Sequence, residues 1–148
     1  MNVQTTSSLI HQIANFEVQF VNHHLRDLNL NSDQGRTMAY IAHHPHSKQR
    51  DIAHYLNRQE ASITNLLKGL VNRNLVIRTV PLDNERTKLL SLTPEGEQAL
   101  VHIERVFHEL NQLLQTPLSS DGAGDLNDLL HQVKTHIYEE EANPSSVY

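Results

Sequence analysis

Apolar positions along the chain recur with the period of a helix over most of its length and change rhythm only once. From about Ser7 to Leu28, Leu9, Ile13, Phe16 and Phe20 fall at i, i+4, i+7 and i+11, with Val21 and Leu25 extending the stripe, which predicts a long first helix. Ser32 or Asp33 offers a cap for a second helix that turns Met38, Ile41 and Ala42 inward and ends before Pro45. Ser47 then reads as the cap of a short helix, Lys48–Leu56, with Ile52, Ala53 and Leu56 on one face, closed by Asn57, a residue that tolerates the left-handed backbone of a tight turn. The next helix, Gln59 to Arg73, buries Ile63, Leu66, Leu67 and Leu70 and presents Gln59, Ser62, Asn65, Lys68 and Asn72 on its polar side, with Asn74 as a left-handed cap.

The rhythm then breaks. Leu75–Val80 is apolar and β-branched, Leu89–Leu92 is a second short apolar run, and the polar stretch Pro81–Arg86 lies between them, which predicts a β-hairpin. Thr93-Pro94-Glu95-Gly96-Glu97 is a helix start, with a threonine cap, proline in the first turn and acids beside it. The helix it opens carries Leu100, Ile103, Val106, Phe107, Leu110, Leu113 and Leu114 until Pro117 and the Ser119–Gly122 cluster break it. A last helix carries Leu126, Leu129, Leu130, Val133 and Ile137, and the chain from Glu139 to Tyr148 is expected to fray, with 142–148 a flexible tail.

Helix, tight turn, helix and hairpin in that order predict a mainly α fold with a small β-hairpin wing, a winged helix-turn-helix. Composition changes what this order means. The 148 residues carry a net charge of −5, which on its face disfavours a polyanion partner. Yet residues 47–93 hold eight Lys and Arg against four Asp and Glu, a balance of +4, and the remainder is −9. A basic middle on an acidic scaffold suits a nucleic acid. An α-helix fits the major groove, about 12 Å wide, and a short basic hairpin fits the minor groove. The candidate DNA contacts are Ser47 and Arg50 on the short helix, Arg58 and Gln59 at the turn, Ser62, Thr64, Asn65 and Lys68 on the recognition helix, and Arg86 and Lys88 on the hairpin.

Other classes find less support. There is no cysteine, so disulfides and thiolate chemistry are absent. No run approaches a membrane span, and the N-terminal segment lacks the pattern of a signal peptide, so a cytoplasmic protein with no membrane partner is expected. No Gly-rich phosphate loop, zinc-protease helix or nucleophile elbow occurs, so no catalytic residue and no cofactor are assigned.

The segments Lys48–Leu56 (KQRDIAHYL), Glu60–Arg78 (EASITNLLKGLVNRNLVIR) and Asp83–Gly96 (DNERTKLLSLTPEG) resemble the multiple-antibiotic-resistance regulator (MarR) family, most specifically through Leu92-Thr93-Pro94-Glu95-Gly96 after a wing arginine. The resemblance implies a homodimer, with residues 1–31 and 94–141 as the helical dimerisation region and 32–93 as the winged DNA-binding domain. It further implies a repressor on a pseudo-palindromic double-stranded operator, released by a small-molecule effector. Candidate pocket residues on that basis are His11, Phe16, Phe20, Met38 and Tyr40, with a packed dimer core as the alternative for the two phenylalanines.

This sequence departs from the family pattern in three places. The wing motif Asp-x-Arg reads Asn84-Glu85-Arg86, with Asp83 one residue early; Asn65 stands where a basic residue is common; and Asn74 replaces a frequent glycine. Asn65 is suited to adenine. Without cysteine, thiol-based oxidant sensing is excluded. The eleven histidines, with the clusters His23-His24 and His43-His44-x-His46 and the Glu104/His108 pair, keep open a zinc-responsive regulator of the same fold, although no metal ligand set is assigned. Sensing by histidine protonation is a further possibility. A winged-helix module serving only protein contact is the remaining alternative.

Overall fold

A computed structural model describes residues 4–84 and 86–142. In chain order it contains α1 (Thr6–His24), a 3-10 turn (Arg26–Leu28), α2 (Ser32–His43), α3 (Gln49–Leu56), α4 (Glu60–Asn72), β1 (Val76–Thr79), β2 (Leu89–Leu92), α5 (Pro94–Gln115) and α6 (Ser120–Glu141). The strands pair antiparallel, Val76 opposite Leu92 and Thr79 opposite Leu89. The fold is therefore mainly helical with one hairpin. Among the described residues no helix is long and apolar enough to cross a membrane.

The chain divides into two compact units, residues 1–110 and 111–148. The first is built on a core of Val21, Leu25, Met38, Ile41, Ile52, Ile63, Leu67, Leu70, Val76, Leu90, Ile103 and Val106. These are the inward positions of every helix from α1 to α5 and of both strands, so burial of one stripe per element holds the unit together.

Local chemistry sets the boundaries. Thr5 caps α1, its hydroxyl accepting from the Ser8 amide at 3.2 Å. The expected first helix stops early, at His24 rather than Leu28, because the chain tightens into the 3-10 turn and Asn29 turns left-handed at φ 52°. Asn31, not Ser32 or Asp33, caps α2: its Oδ1 accepts from the Gln34 amide at 2.8 Å, and Gln34 accepts from the Asn31 amide at 3.0 Å. Ser32 is instead the first helical residue, donating its N–H to Asn22 Oδ1 of α1 at 2.7 Å.

Asn57 and Asn74 adopt the left-handed turns their sequence positions predict, at φ 51° and 57°. Leu75 N–H closes on Leu70 O at 3.0 Å, ending α4 as a Schellman turn. At the wing base, the Thr93 hydroxyl accepts from the Gly96 amide at 2.9 Å and donates to Asn74 O at 2.6 Å. One side chain thus caps α5 and pins it to the end of the recognition helix.

Ser47 does not cap α3. Left-handed His46 (φ 65°) sends the chain alongside β2, where Ser47 forms a bridge with Leu90, its carbonyl accepting from the Leu90 amide at 2.8 Å. Its hydroxyl is turned inward, and the cap falls to Lys48, whose N–H donates to Asp51 Oδ2 at 2.8 Å.

In the second unit Ser119 caps α6, accepting from the Gly122 amide at 3.0 Å. Helix α5 ends at Gln115, ahead of Pro117 and the Ser119–Gly122 cluster as the sequence predicts, and the same cluster supplies the cap and first turn of α6. Helix α6 continues through Glu141, past the point where fraying was expected; residues 143–148 of the expected flexible tail lie outside the described residues.

Candidate nucleic-acid interface

Helix α3, the Asn57–Gln59 turn and α4 are locked together before any ligand is present. Gln49 Nε2 donates to Thr64 Oγ1 at 2.7 Å and to Glu60 O at 3.2 Å, and the Thr64 hydroxyl donates to Glu60 O at 3.0 Å. Arg58 pairs with Asp33 at the start of α2, Nε to Oδ2 3.3 Å. Three hydrophobic side chains, Ile63, Leu67 and Leu70, anchor the inner face of α4. The outer face of α4 is left to solvent: Ser62, Asn65 and Lys68 are exposed, as is Gln59 at the cap. Their spacing of three residues places neighbours within reach of adjacent groups along a groove.

The wing reaches over the start of α3. Lys48, Gln49 and Arg50, Glu60 of α4, and Arg86, Thr87 and Lys88 of the wing line one open cleft of about 460 Å³. Four cations face one carboxylate there, so the local charge is strongly positive although the chain is acidic. The asparagine in place of the usual wing aspartate retains a supporting part. Asn84 Oδ1 accepts from the Arg86 amide at 3.1 Å and Asn84 O accepts from the Thr87 amide at 3.2 Å, which fixes the backbone that carries Arg86.

The ten expected DNA contacts therefore fall into two groups. Arg50, Gln59, Ser62, Asn65, Lys68, Arg86 and Lys88 are exposed on the helix-turn-helix and the wing. The other three are already engaged by the fold. Ser47 is buried under β2, Thr64 is bonded to Gln49, and Arg58 is paired with Asp33. Lys48, Gln49 and Thr87 belong to the cleft and were not among the expected contacts; for Lys48 the basic balance of the segment was the available signal.

The five residues expected to line an effector pocket do not gather. Met38 is fully buried in the core. Tyr40, two residues on and so on a nearly opposite side of α2, stacks on His44 at 4.2 Å and meets Tyr55 at 4.7 Å. Phe16 and Phe20 touch each other at 5.9 Å, and His11 Nε2 is bonded to Asn15 at 3.0 Å. A different cleft, about 310 Å³, opens among α1, α2 and the end of α3, lined by Glu17, Val18, Asp33, Arg36, Tyr55 and Arg58 among others. His43 Nε2 lies 3.3 Å from Glu104, but among the described residues no three His, Asp or Glu side chains gather to hold a metal ion.

Comparison with known proteins agrees with this geometry. The MarR family model matches residues 30–88. A Thauera aromatica protein named for regulation of the hcr operon is 29% identical over 103 residues, which span 70% of this chain and 62% of that one. The homoprotocatechuate degradative operon repressor of Escherichia coli is 24% identical over 104 residues, 70% of each chain. The S. aureus MepR–DNA complex superposes with a TM-score of 0.82 at 26% identity, covering 89% of this chain and 98% of that one.

Proposed function

Because residues 30–88 form a MarR-family domain, we propose that this chain is a sequence-specific DNA-binding transcriptional regulator and not an enzyme. In this reading it acts as a homodimer that represses from a pseudo-palindromic operator. Residues 32–93 read the DNA, and residues 1–31 and 94–141 hold the two copies together. The observation that carries the proposal is the basic cleft formed by Lys48, Arg50, Arg86 and Lys88 beside the exposed polar face of α4. Base edges are met by Gln59, Ser62 and Asn65, while Arg50, Lys68 and Lys88 neutralise phosphates and Arg86 enters the minor groove.

Dimerisation is supported by apolar faces that the chain itself leaves open. In α1, Leu9, Ile10, Ile13, Phe16 and Val18 are 41–49% exposed, and in α6 no residue is buried while Leu126, Leu129, Leu130, Val133 and Ile137 stay 40–58% exposed. An exposed apolar stripe on each of these helices, taken by itself, marks an interface, and a second copy supplies the matching faces in a two-fold assembly.

Release by a small molecule is the remaining part of the reading. The α1–α2–α3 cleft carries Arg36 and Arg58 beside Val18 and Tyr55, but Glu17 pairs with Arg36 at 3.9 Å and Asp33 with Arg58 at 3.3 Å, so a small anion with an apolar body would have to take the place of a carboxylate there. An occupant that drew Arg58 from Asp33 would disturb the turn leading into α4. Selection of genomic fragments by the purified protein, followed by titration of aromatic carboxylates into the complex, tests both parts. Enrichment of a two-fold symmetric site is expected; a bound site with no symmetry would refute the dimeric reading.

A further inference from the structure

Four cations of the basic segment, Arg58, Lys68, Arg73 and Arg78, do not line the cleft, and Arg73 is turned to another use. Arg73 is the C-cap of α4, and its guanidinium reaches back to the turn between α1 and α2. Nη1 donates to Asn29 O at 2.7 Å, and Nη2 donates to Leu28 O. These carbonyls precede Arg73 by 44 and 45 residues. They stand at the end of the 3-10 turn, where helical geometry leaves carbonyls without an amide of their own segment. A planar guanidinium with several fixed N–H groups can serve two adjacent acceptors at once. The receiving turn is itself rigid. Left-handed Asn29 shapes it, buried Leu25 and Leu30 seat it, and the Asn22–Ser32 bond ties it to α1. At the other end of α4, Arg58 joins the preceding turn to Asp33 at the head of α2. Helix α4 is thus tethered at both ends to the α1–α2 corner, by an ion pair at its start and a two-pronged bond at its finish.

We infer that Arg73 is a positioning residue that fixes the angle of the recognition helix against α1 and so determines which half-site spacing the protein accepts. The inference rests on the dimeric DNA-binding reading. In a symmetric dimer built on α1, the separation of the two α4 helices follows from the angle each makes with its own α1. Half-sites one turn apart are about 34–36 Å centre to centre, and one inserted base pair moves a half-site by about 3.4 Å and rotates it around the helix axis. A rigid corner rejects that change; a loosened one absorbs it.

The test uses the full-length protein and three operators: the selected site, and the same half-sites moved apart or together by one base pair. Affinities of wild type, Arg73→Ala and Arg73→Lys are read by fluorescence anisotropy over a salt series, with circular dichroism and sedimentation to check fold and dimer. Wild type is expected to lose at least about tenfold in affinity on either altered spacing, the size of a single mismatch. Arg73→Ala is expected to bind the selected site more weakly yet discriminate among spacings by less than about threefold. Its salt slope should match wild type, because no phosphate contact is lost. Arg73→Lys, which keeps the charge but not the fork, should fall between them and provides the reading if the alanine variant does not fold. Loss of affinity by one common factor on all three operators, with discrimination kept, would overturn the inference in favour of simple stabilisation. A salt slope reduced by about one would overturn it in favour of a phosphate contact. If wild type bound no operator, the reading beneath it would fail and the strut with it.

Discussion

Replacing Gly96 by alanine is the sharpest test of how the wing is joined to α5. A Cβ built at Gly96 would lie 2.1 Å from Leu75 O and 3.1 Å from Leu75 C, with Leu92 Cβ at 3.4 Å. The obstacle is backbone, so it cannot rotate aside; either α5 or the start of β1 must move by roughly 1 Å to restore ordinary contact. The same shift would strain the bond from the Gly96 amide to Thr93 Oγ1 (2.9 Å) and the contact of that hydroxyl with Asn74 O (2.6 Å). Overpacking costs about 1–3 kcal/mol and loss of a threonine cap about 1 kcal/mol, so Gly96→Ala should destabilise by about 2–4 kcal/mol. Gly124→Ala is the matched control. It lies inside α6 where, its chain neighbours and its own helix backbone aside, no atom of the described residues comes within 4 Å of its Cβ position, and should stabilise by roughly 0.5–1 kcal/mol. Urea unfolding of both variants at one fixed protein concentration measures the difference. A Gly96→Ala loss below about 1 kcal/mol would refute the close approach of α5 to Leu75.

Three further outcomes are expected. Arg86→Ala should weaken binding to all sequences and lower the salt slope by about one, which a shift assay at several salt concentrations reads; an unchanged slope would take Arg86 off the DNA backbone and groove. Asn65→Ala should cost about 1–3 kcal/mol at one base position of the operator and leave the salt slope unchanged, seen by comparing single-base operator variants. Ile13→Asp, on the open face of α1, should convert the dimer to monomer in analytical ultracentrifugation, and a dimer of unaltered affinity would place the interface elsewhere.

Much of the fold was legible because its signals are local. The asparagines at 57 and 74, the threonine–proline start of α5 and the inward stripe of α4 are each decided by residues within a turn of one another, and the structure has them as the sequence predicts, except that Leu66 of the stripe is only half-buried. What was hidden depends on partners far along the chain. Ser47 has the composition of a helix cap, but its bridge with Leu90, 43 residues later, turned its hydroxyl inward. Thr64 and Arg58 read simply as DNA contacts in the sequence, and only the fold shows that Gln49 bonds the first and Asp33 pairs with the second, while both stay exposed. Arg73 looked like one more positive charge; only the approach of the α1–α2 turn shows what it grips. The effector residues were drawn from helices that do pack together, but helical phase sends Met38 into the core and Tyr40 outward. Charge was the most informative composition feature once it was read by region, since the acidic total concealed the cations of the cleft.

The central claim is that the face made by α4 and the wing reads an operator as a two-fold pair. Footprinting of the purified dimer on a genomically selected fragment, with Arg86→Ala and Asn65→Ala in parallel, tests it most directly. The account predicts two protected major-groove segments about 34–36 Å apart, flanking minor-groove protection that Arg86→Ala removes, and affinity that falls steeply with salt. An intact dimer that protects no fragment even at low salt, or protection unaffected by either substitution, would contradict it.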